Sequence, residues 1–279
     1  MARRSANAHT ATTSGQTEPV SEPRRDVHPA AAIGFDREAG TYARVRPSYP
    51  PEVIGVLVDA GVSPPAPVCD LAAGTGIFTR LLVDAGYDVI AVEPTAGMRE
   101  EFARSGPPAR VVDGTAEAMP LEPACVDAVT VAQGFHWFDA DSALAEIHRV
   151  LRPDGVLLMV WNVRDESVSW VRDLTDLVQQ RCGGRPYDDH RERDWQDVVA
   201  EAGGFGPLDE VRFPNPVPSS PDGVLDRVRS TSYVAAMDPG PQRQLLDEVA
   251  RLVATHPETR GRDVFDYPHH TAVYWCRRA

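Results

Sequence analysis

Between residues 66 and 162, apolar runs of strand length alternate with helical patterns, and this rhythm narrows the possible folds more than any other feature. Ala66 to Leu71 is a short apolar run that carries an acid, Asp70, and leads into the Gly-rich turn Ala72–Gly76. The helical pattern Phe78, Leu81, Leu82, Ala85 follows, with Gly86 placed to stop it. Asp88 to Glu93 reads as a second strand, and a helix runs on through Met98 and Phe102. Arg110 to Asp113 is a third strand and Val126 to Ala132 a fourth, the latter followed by a helix over Ala140 to Leu151. Arg152-Pro153-Asp154-Gly155 then turns the chain into a fifth strand, Val156 to Trp161. Strands that each wait for a helix before the next one cannot pair as hairpins, so the pattern predicts an α/β fold with a doubly wound parallel sheet.

Beyond Trp161 the rhythm changes. Val168 to Arg181 and Asp194 to Ala202 read as amphipathic helices, a Pro-rich link runs from Phe213 to Pro221, and two more helices fall near 222–236 and 240–255. Leu208 to Phe213 and Thr271 to Cys276 supply two last strands, one of them antiparallel. The whole is then a seven-stranded, mostly parallel, Rossmann-like sheet with an added helical cap. The division expected is a disordered tail over 1–32, rich in Ala, Thr, Ser, Pro and Arg without an apolar face. N-terminal lid helices follow over 33–65, a cofactor-binding core over 66–165, and cap insertions plus the last two strands over 166–279.

In such sheets ligands bind outside the carboxyl ends of the strands, where the strand order reverses. The loop after the first strand is therefore the first place to look. Gly74 and Gly76 let backbone approach a ligand closely, and Glu93 ends the second strand, placed to accept from both hydroxyls of a ribose. A Gly-rich turn with a distant acid suits NAD or FAD as well. Two details favour a cofactor without phosphate. The dinucleotide fingerprint wants a third glycine where this chain has Thr79, and Asp70, directly before the loop, would repel a pyrophosphate. S-adenosylmethionine, with its ammonium and sulfonium, tolerates an acid there.

The chain also resembles the class I S-adenosylmethionine-dependent methyltransferases, in particular the small-molecule branch related to the ubiquinone-pathway and trans-aconitate enzymes. The matching stretches are VCDLAAGTG at Val68–Gly76, VIAVEP at Val89–Pro94, GTAEAMPL at Gly114–Leu121, VDAVTVAQGFHWFD at Val126–Asp139 and RVLRPDG at Arg149–Gly155. The resemblance implies that Asp70 and the loop from Ala72 through Gly74 to Gly76 hold the methionine part. It gives the ribose to Glu93, the adenosine to Pro94 and Met98, and the adenine to Thr115, Ala116 and Glu117, with Gln133 opening the loop after the fourth strand. Two positions depart from the pattern: Ala72, where many relatives carry glycine, and Thr115, where an acid is common.

Methyl transfer is an in-line displacement, so the protein has mainly to align the acceptor and exclude water. His136, just past the fourth strand, is the candidate base if the acceptor must lose a proton; its other role is to shape the pocket wall. Tyr49, Trp137, Trp161 and Tyr233 are further candidates for the acceptor site. The segment with Tyr42, Arg46 and Tyr49 resembles a lid, with Tyr42 and Arg46 closing over the cofactor and Arg46 pairing with a carboxylate. His269-His270 has no partnering acid or cysteine at ligand spacing, so no metal is expected.

Composition bounds the partners. With 28 basic and 41 acidic side chains the net charge is -13, which disfavours nucleic acid as acceptor. No apolar run has membrane length, and four scattered cysteines suit a reducing, cytoplasmic setting. The expectation is a methyltransferase, monomer or homodimer, acting on a small organic acceptor in specialised natural-product metabolism. Its alternatives are a non-methylating use of the bound sulfonium, such as assisting a cyclisation, and a non-catalytic cofactor binder.

Overall fold

The computed structural model describes residues 46–183 and 194–279. The expected tail over 1–32, the first part of the lid and Tyr42 lie outside the described residues. The described residues open with helix α1 (Glu52–Asp59) and continue with β1 (Pro67–Leu71), α2 (Ile77–Asp84), β2 (Asp88–Val92), α3 (Ala96–Ser105), β3 (Arg110–Val112) and β4 (Val126–Ala132). A single 3-10 turn (Phe135–Trp137) leads to α4 (Ala140–Val150), β5 (Leu151–Arg164), α5 (Ser169–Cys182), α6 (Trp195–Ala202) and β6 (Asp209–Pro214). The last part comprises β7 (Val217–Ser219), α7 (Pro221–Arg229), α8 (Ser232–Ala235), α9 (Pro239–Thr255), β8 (Phe265–Tyr267) and β9 (His269–Arg277).

Seven strands form one sheet in the order β3-β2-β1-β4-β5-β9-β6. The pairs among β1 to β5 are parallel; β9 runs antiparallel to both β5 and β6. The Rossmann-like architecture follows from the side-chain period of two along strands buried on both faces. Val68, Ala128, Val156, Leu158 and Val160 face Val53 and Leu57 of α1 and Phe78 and Leu82 of α2. Their neighbours Cys69, Leu71, Val129, Val131, Leu157, Met159 and Trp161 face Leu144 and Ile147 of α4 and Trp195 and Val199 of α6.

A third apolar cluster builds the cap. Trp170 and Leu174 of α5 meet Val224 and Val228 of α7, Leu245 and Val249 of α9, and Phe265 and Tyr267 of β8. Three expectations change. α6, expected in the cap, belongs to the sheet layer because Trp195 stacks on Trp161 at 5.1 Å and meets Phe135 edge-on at 5.4 Å. The Pro-rich link is instead partly β-structure, with β7 pairing antiparallel to β8 in a small second sheet. The helix expected over 222–236 is two helices, because the hydroxyls of Ser230 and Thr231 both bond the carbonyl of Arg227, closing the first one locally. No helix among the described residues is long and apolar enough to cross a membrane.

Candidate active site

The strand order reverses between β1 and β4, and the cleft at their carboxyl ends is the crevice such a reversal opens. Its walls include Asp70, Ala72, Ala73, Gly74 and Thr75 from the first loop, Gln133 from the end of β4 and Arg46, Tyr49 and Arg227 from the segments above. The loop is held in shape by local bonds: the N–H of Ala73 donates to the carbonyl of Val92, and that of Gly76 to the carbonyl of Ala73. Ala72, Gly74, Gly76 and Gln133 all take positive φ, at 55°, 57°, 85° and 62°. That turn sends the backbone round the end of the cleft instead of across it. At Ala72 the conformation is one glycine would adopt without strain, which explains why the alanine stands out in the sequence.

The two glycines have different reasons. A Cβ at Gly76 would lie 2.7 Å from the rings of Phe102 and Pro107, so this position permits close packing of α3 on the loop. A Cβ at Gly74 would meet nothing within 4 Å, since it would point into the open cleft. The hydroxyl of Thr75, on a residue 6% exposed, has no partner among the described residues. Open space beside Gly74 and an unsatisfied buried hydroxyl next to it are what a cradle for a polar cofactor requires.

Two buried acids support the cradle. Glu93 accepts from the N–H of Gly74 at 2.9 Å with one oxygen and from the N–H of Thr95 at 2.8 Å with the other. Each oxygen keeps further acceptor capacity, so the carboxylate can tie the loop to β2 and still receive ribose hydroxyls. Burial raises its pKa, opposed by these backbone bonds. Asp70 forms the floor, wholly enclosed, and accepts from the hydroxyls of Thr79 at 2.5 Å and Thr130 at 3.0 Å. Burial dominates here too and lifts its pKa to about 7. Thr79, where a dinucleotide site would have its third glycine, thus has a positive role of its own, that of holding Asp70.

The remaining candidates divide. Tyr49 is buried in the cleft wall with its ring edge-to-face on Phe78 at 5.0 Å. Gln133 donates to the carbonyl of Asn162 at 3.2 Å. Pro94 and Met98 follow β2, and Thr115, Ala116 and Glu117 follow β3, beside the β1 end of the cleft but not among its walls. Glu117 accepts from the N–H of Asp139 at 3.1 Å, bridging the loops after β3 and β4.

His136 and Trp137 are half-buried on the 3-10 turn and also stand outside the cleft walls. The indole N–H of Trp161 points to Nδ1 of His136 at 3.4 Å. That contact leaves the ring proton on Nε2, so His136 presents a donor, and a general base only if it parts from Trp161. Trp161 itself is fully buried between Trp195 and Tyr274, a core residue that steadies His136 and offers no face to an acceptor. Tyr233, half-buried in α8, packs against the cap core and is not in the cleft wall.

Two more residues complete the wall. Asn162 is a hub: its amide donates to the carbonyls of Pro47 and Ser48, and its oxygen accepts from Thr271 at 2.6 Å and Asn215 at 3.0 Å. With Arg46 donating to the carbonyl of Ser230 at 3.0 Å, it straps residues 46–48 between sheet and cap. Arg227 is the other. It lies on the buried face of α7, 6% exposed, in a helix whose sequence gives an arginine no reason to turn inward. No group of three or more His, Cys, Asp or Glu among the described residues could hold a metal ion.

Comparisons with known proteins agree with this geometry. A family model described as a methyltransferase domain matches residues 69–159. An uncharacterized methyltransferase of Mycobacterium tuberculosis is 38% identical over 256 residues, covering 92% of this chain and 97% of that protein. An uncharacterized methyltransferase of Schizosaccharomyces pombe is 29% identical over 242 residues, 86% of this chain and 95% of its own. Among solved structures, a putative type II methyltransferase from Anaeromyxobacter dehalogenans shares the fold with a TM-score of 0.57 at 24% identity, covering 83% of this chain and 96% of that one.

Proposed function

We propose, from the premise that this chain belongs to the class I S-adenosylmethionine-dependent methyltransferases, that its acceptor is a small organic molecule held beside the Gly74 cleft. Membership makes S-adenosylmethionine the cofactor and methyl transfer the reaction. When bound, the cofactor supplies an electrophilic methyl carbon on a sulfonium, open to in-line attack. The chain's own residues do the holding. Glu93 is placed to take ribose hydroxyls, the Thr75 hydroxyl gains the partner it lacks, and Asp70, with its pKa near 7, ionises most readily when a cationic ligand lies over it. Tyr49 and the strap at 46–48 keep water from the reacting centre.

One observation carries the small-molecule reading: Arg46, Pro47 and Arg227 are common walls of the cleft and of a second, larger chamber of about 440 Å³. A space of that size is in the range of small-ligand sites, and the net charge of -13 speaks against a polyphosphate acceptor.

The test is a calorimetric titration with S-adenosylhomocysteine, followed by a screen of small acceptors for release of that product. Binding should weaken about ten-fold or more in Glu93→Gln, which removes charged acceptor capacity while keeping volume. Tight binding with no methylated product across a broad acceptor screen would overturn the reading, as would turnover without release of S-adenosylhomocysteine.

A further inference from the structure

The second chamber has its own chemistry. Besides Arg46 and Arg227 it is lined by Ser219 and Ser220 at the amino end of α7 and by Tyr267 and His269, the residues on either side of Pro268 between β8 and β9. Tyr267 is 2% exposed and His269 5%, yet the Tyr267 hydroxyl and the His269 Nε2 have no hydrogen-bond partner among the described residues. Buried polar atoms left unmatched cost on the order of 1–3 kcal/mol each, so a pair of them on residues that line one chamber calls for an occupant that reaches them.

The polarity of that occupant can be read atom by atom. The Nδ1 of His269 lies 2.8 Å from the carbonyl oxygen of Tyr267. A carbonyl only accepts, so Nδ1 carries the proton and Nε2 presents a lone pair. The Tyr267 hydroxyl, by contrast, is free to donate. Burial, with Arg227, Arg164 and Arg46 nearby, holds the His269 pKa down to about 3, so the imidazole is neutral and its surroundings are positive. A positive chamber with a hydroxyl donor suits a carboxylate, and an adjacent lone pair suits an O–H.

We propose that this chamber anchors the methyl acceptor by a carboxylate held between Arg227, Arg46 and the Tyr267 hydroxyl, with a neighbouring hydroxyl of the same molecule donating to His269 Nε2. The acceptor class is thus a hydroxy acid. This rests on the methyltransferase reading above only in calling the occupant the acceptor; the chamber's preference for a hydroxy acid is a separate property. Arginine suits this position because its planar fork matches a carboxylate.

The test uses the full-length protein, with and without saturating S-adenosylhomocysteine, titrated calorimetrically with two matched series: malate, succinate and malamide, and salicylate, benzoate and salicylamide. In at least one series the hydroxy acid should bind best, the acid without the hydroxyl several-fold more weakly, and the uncharged amide at least about ten-fold more weakly. Tyr267→Phe, which keeps the ring packed, should lower the affinity for that hydroxy acid about ten-fold and leave S-adenosylhomocysteine binding unchanged. Arg227→Gln should abolish hydroxy-acid binding; where it disturbs folding, the tyrosine variant decides. Amides that bind as well as the acids, or a Tyr267→Phe protein that binds the hydroxy acid normally, would overturn the proposal. So would an Arg227→Gln protein that loses only S-adenosylhomocysteine, since the arginine would then serve the cofactor's own carboxylate. Should S-adenosylhomocysteine fail to bind while the acid series keeps its order, the cofactor reading falls and the chamber's chemistry stands.

Discussion

At the scale of single residues, Asp70 and the two glycines carry the sharpest consequences. With its folded pKa near 7 against 3.8 for an ordinary aspartate, Asp70 keeps its proton in the folded chain across a range where the unfolded chain has lost it. Its contribution to stability is therefore full below pH 3.8 and is lost as pH rises towards 7, by up to about 1.4 kcal/mol per unit. Asp70→Asn should flatten that part of the stability curve of the cofactor-free protein, measured by urea unfolding between pH 4 and 7; an unchanged slope would place the titration elsewhere. The glycines separate packing from binding. Gly76→Ala should cost about 1–3 kcal/mol in urea denaturation because the new methyl overlaps Phe102 and Pro107. Gly74→Ala, with only its φ of 57° to strain it, should instead show mainly as weaker cofactor binding in calorimetry. The position of this loop was legible in the sequence because a strand, a Gly-rich turn and an acid at fixed spacing are local facts, whereas the packing role of Gly76 depends on Phe102 and Pro107 and was not. Arg227, Tyr267 and His269 were not, since their meeting depends on how α7 and β8 fold back together, and an inward arginine on an amphipathic helix leaves no trace in its pattern.

At the scale of elements, the sequence located all five parallel strands and the two later ones, one of them antiparallel, because strand-length apolar runs mark the strands buried at the centre of the sheet. It missed what depends on a partner. β5 continues to Arg164 because β9 pairs with it as far as His269, and three-residue β7 and β8 are too short to show a period. The cap's separate core has a testable meaning. Leu245→Ala empties a fully buried site on α9 and should cost about 2–5 kcal/mol. Since the cap cluster is distinct from the two clusters on the sheet, the loss should appear first as faster hydrogen exchange in α5, α7 and α9, with β1 and β4 still protected. Uniform acceleration through the sheet would show that cap and core unfold as one.

At the scale of the whole molecule, the sheet supplies a standard place for the cofactor, while the strap at 46–48 and the cap decide what lies next to it. That division explains why the donor was readable and the acceptor was not: the cofactor loop lies within a few residues of chain, whereas the second chamber draws on segments from Arg46 to His269. The position of β9 has a consequence for how the molecule comes into being. β6 ends at Pro214, and its partner in the sheet does not begin until His269. During synthesis, then, β6 leaves the ribosome with no neighbour to bond, and β5 waits with a bare edge while the cap helices are still being made. The cap can close on α7 and α9 only as β8 arrives, immediately before β9 completes the sheet. β9, translated after both of its partners, is inserted between two strands that are already waiting, so the second chamber and the sheet are finished by the same short stretch of chain.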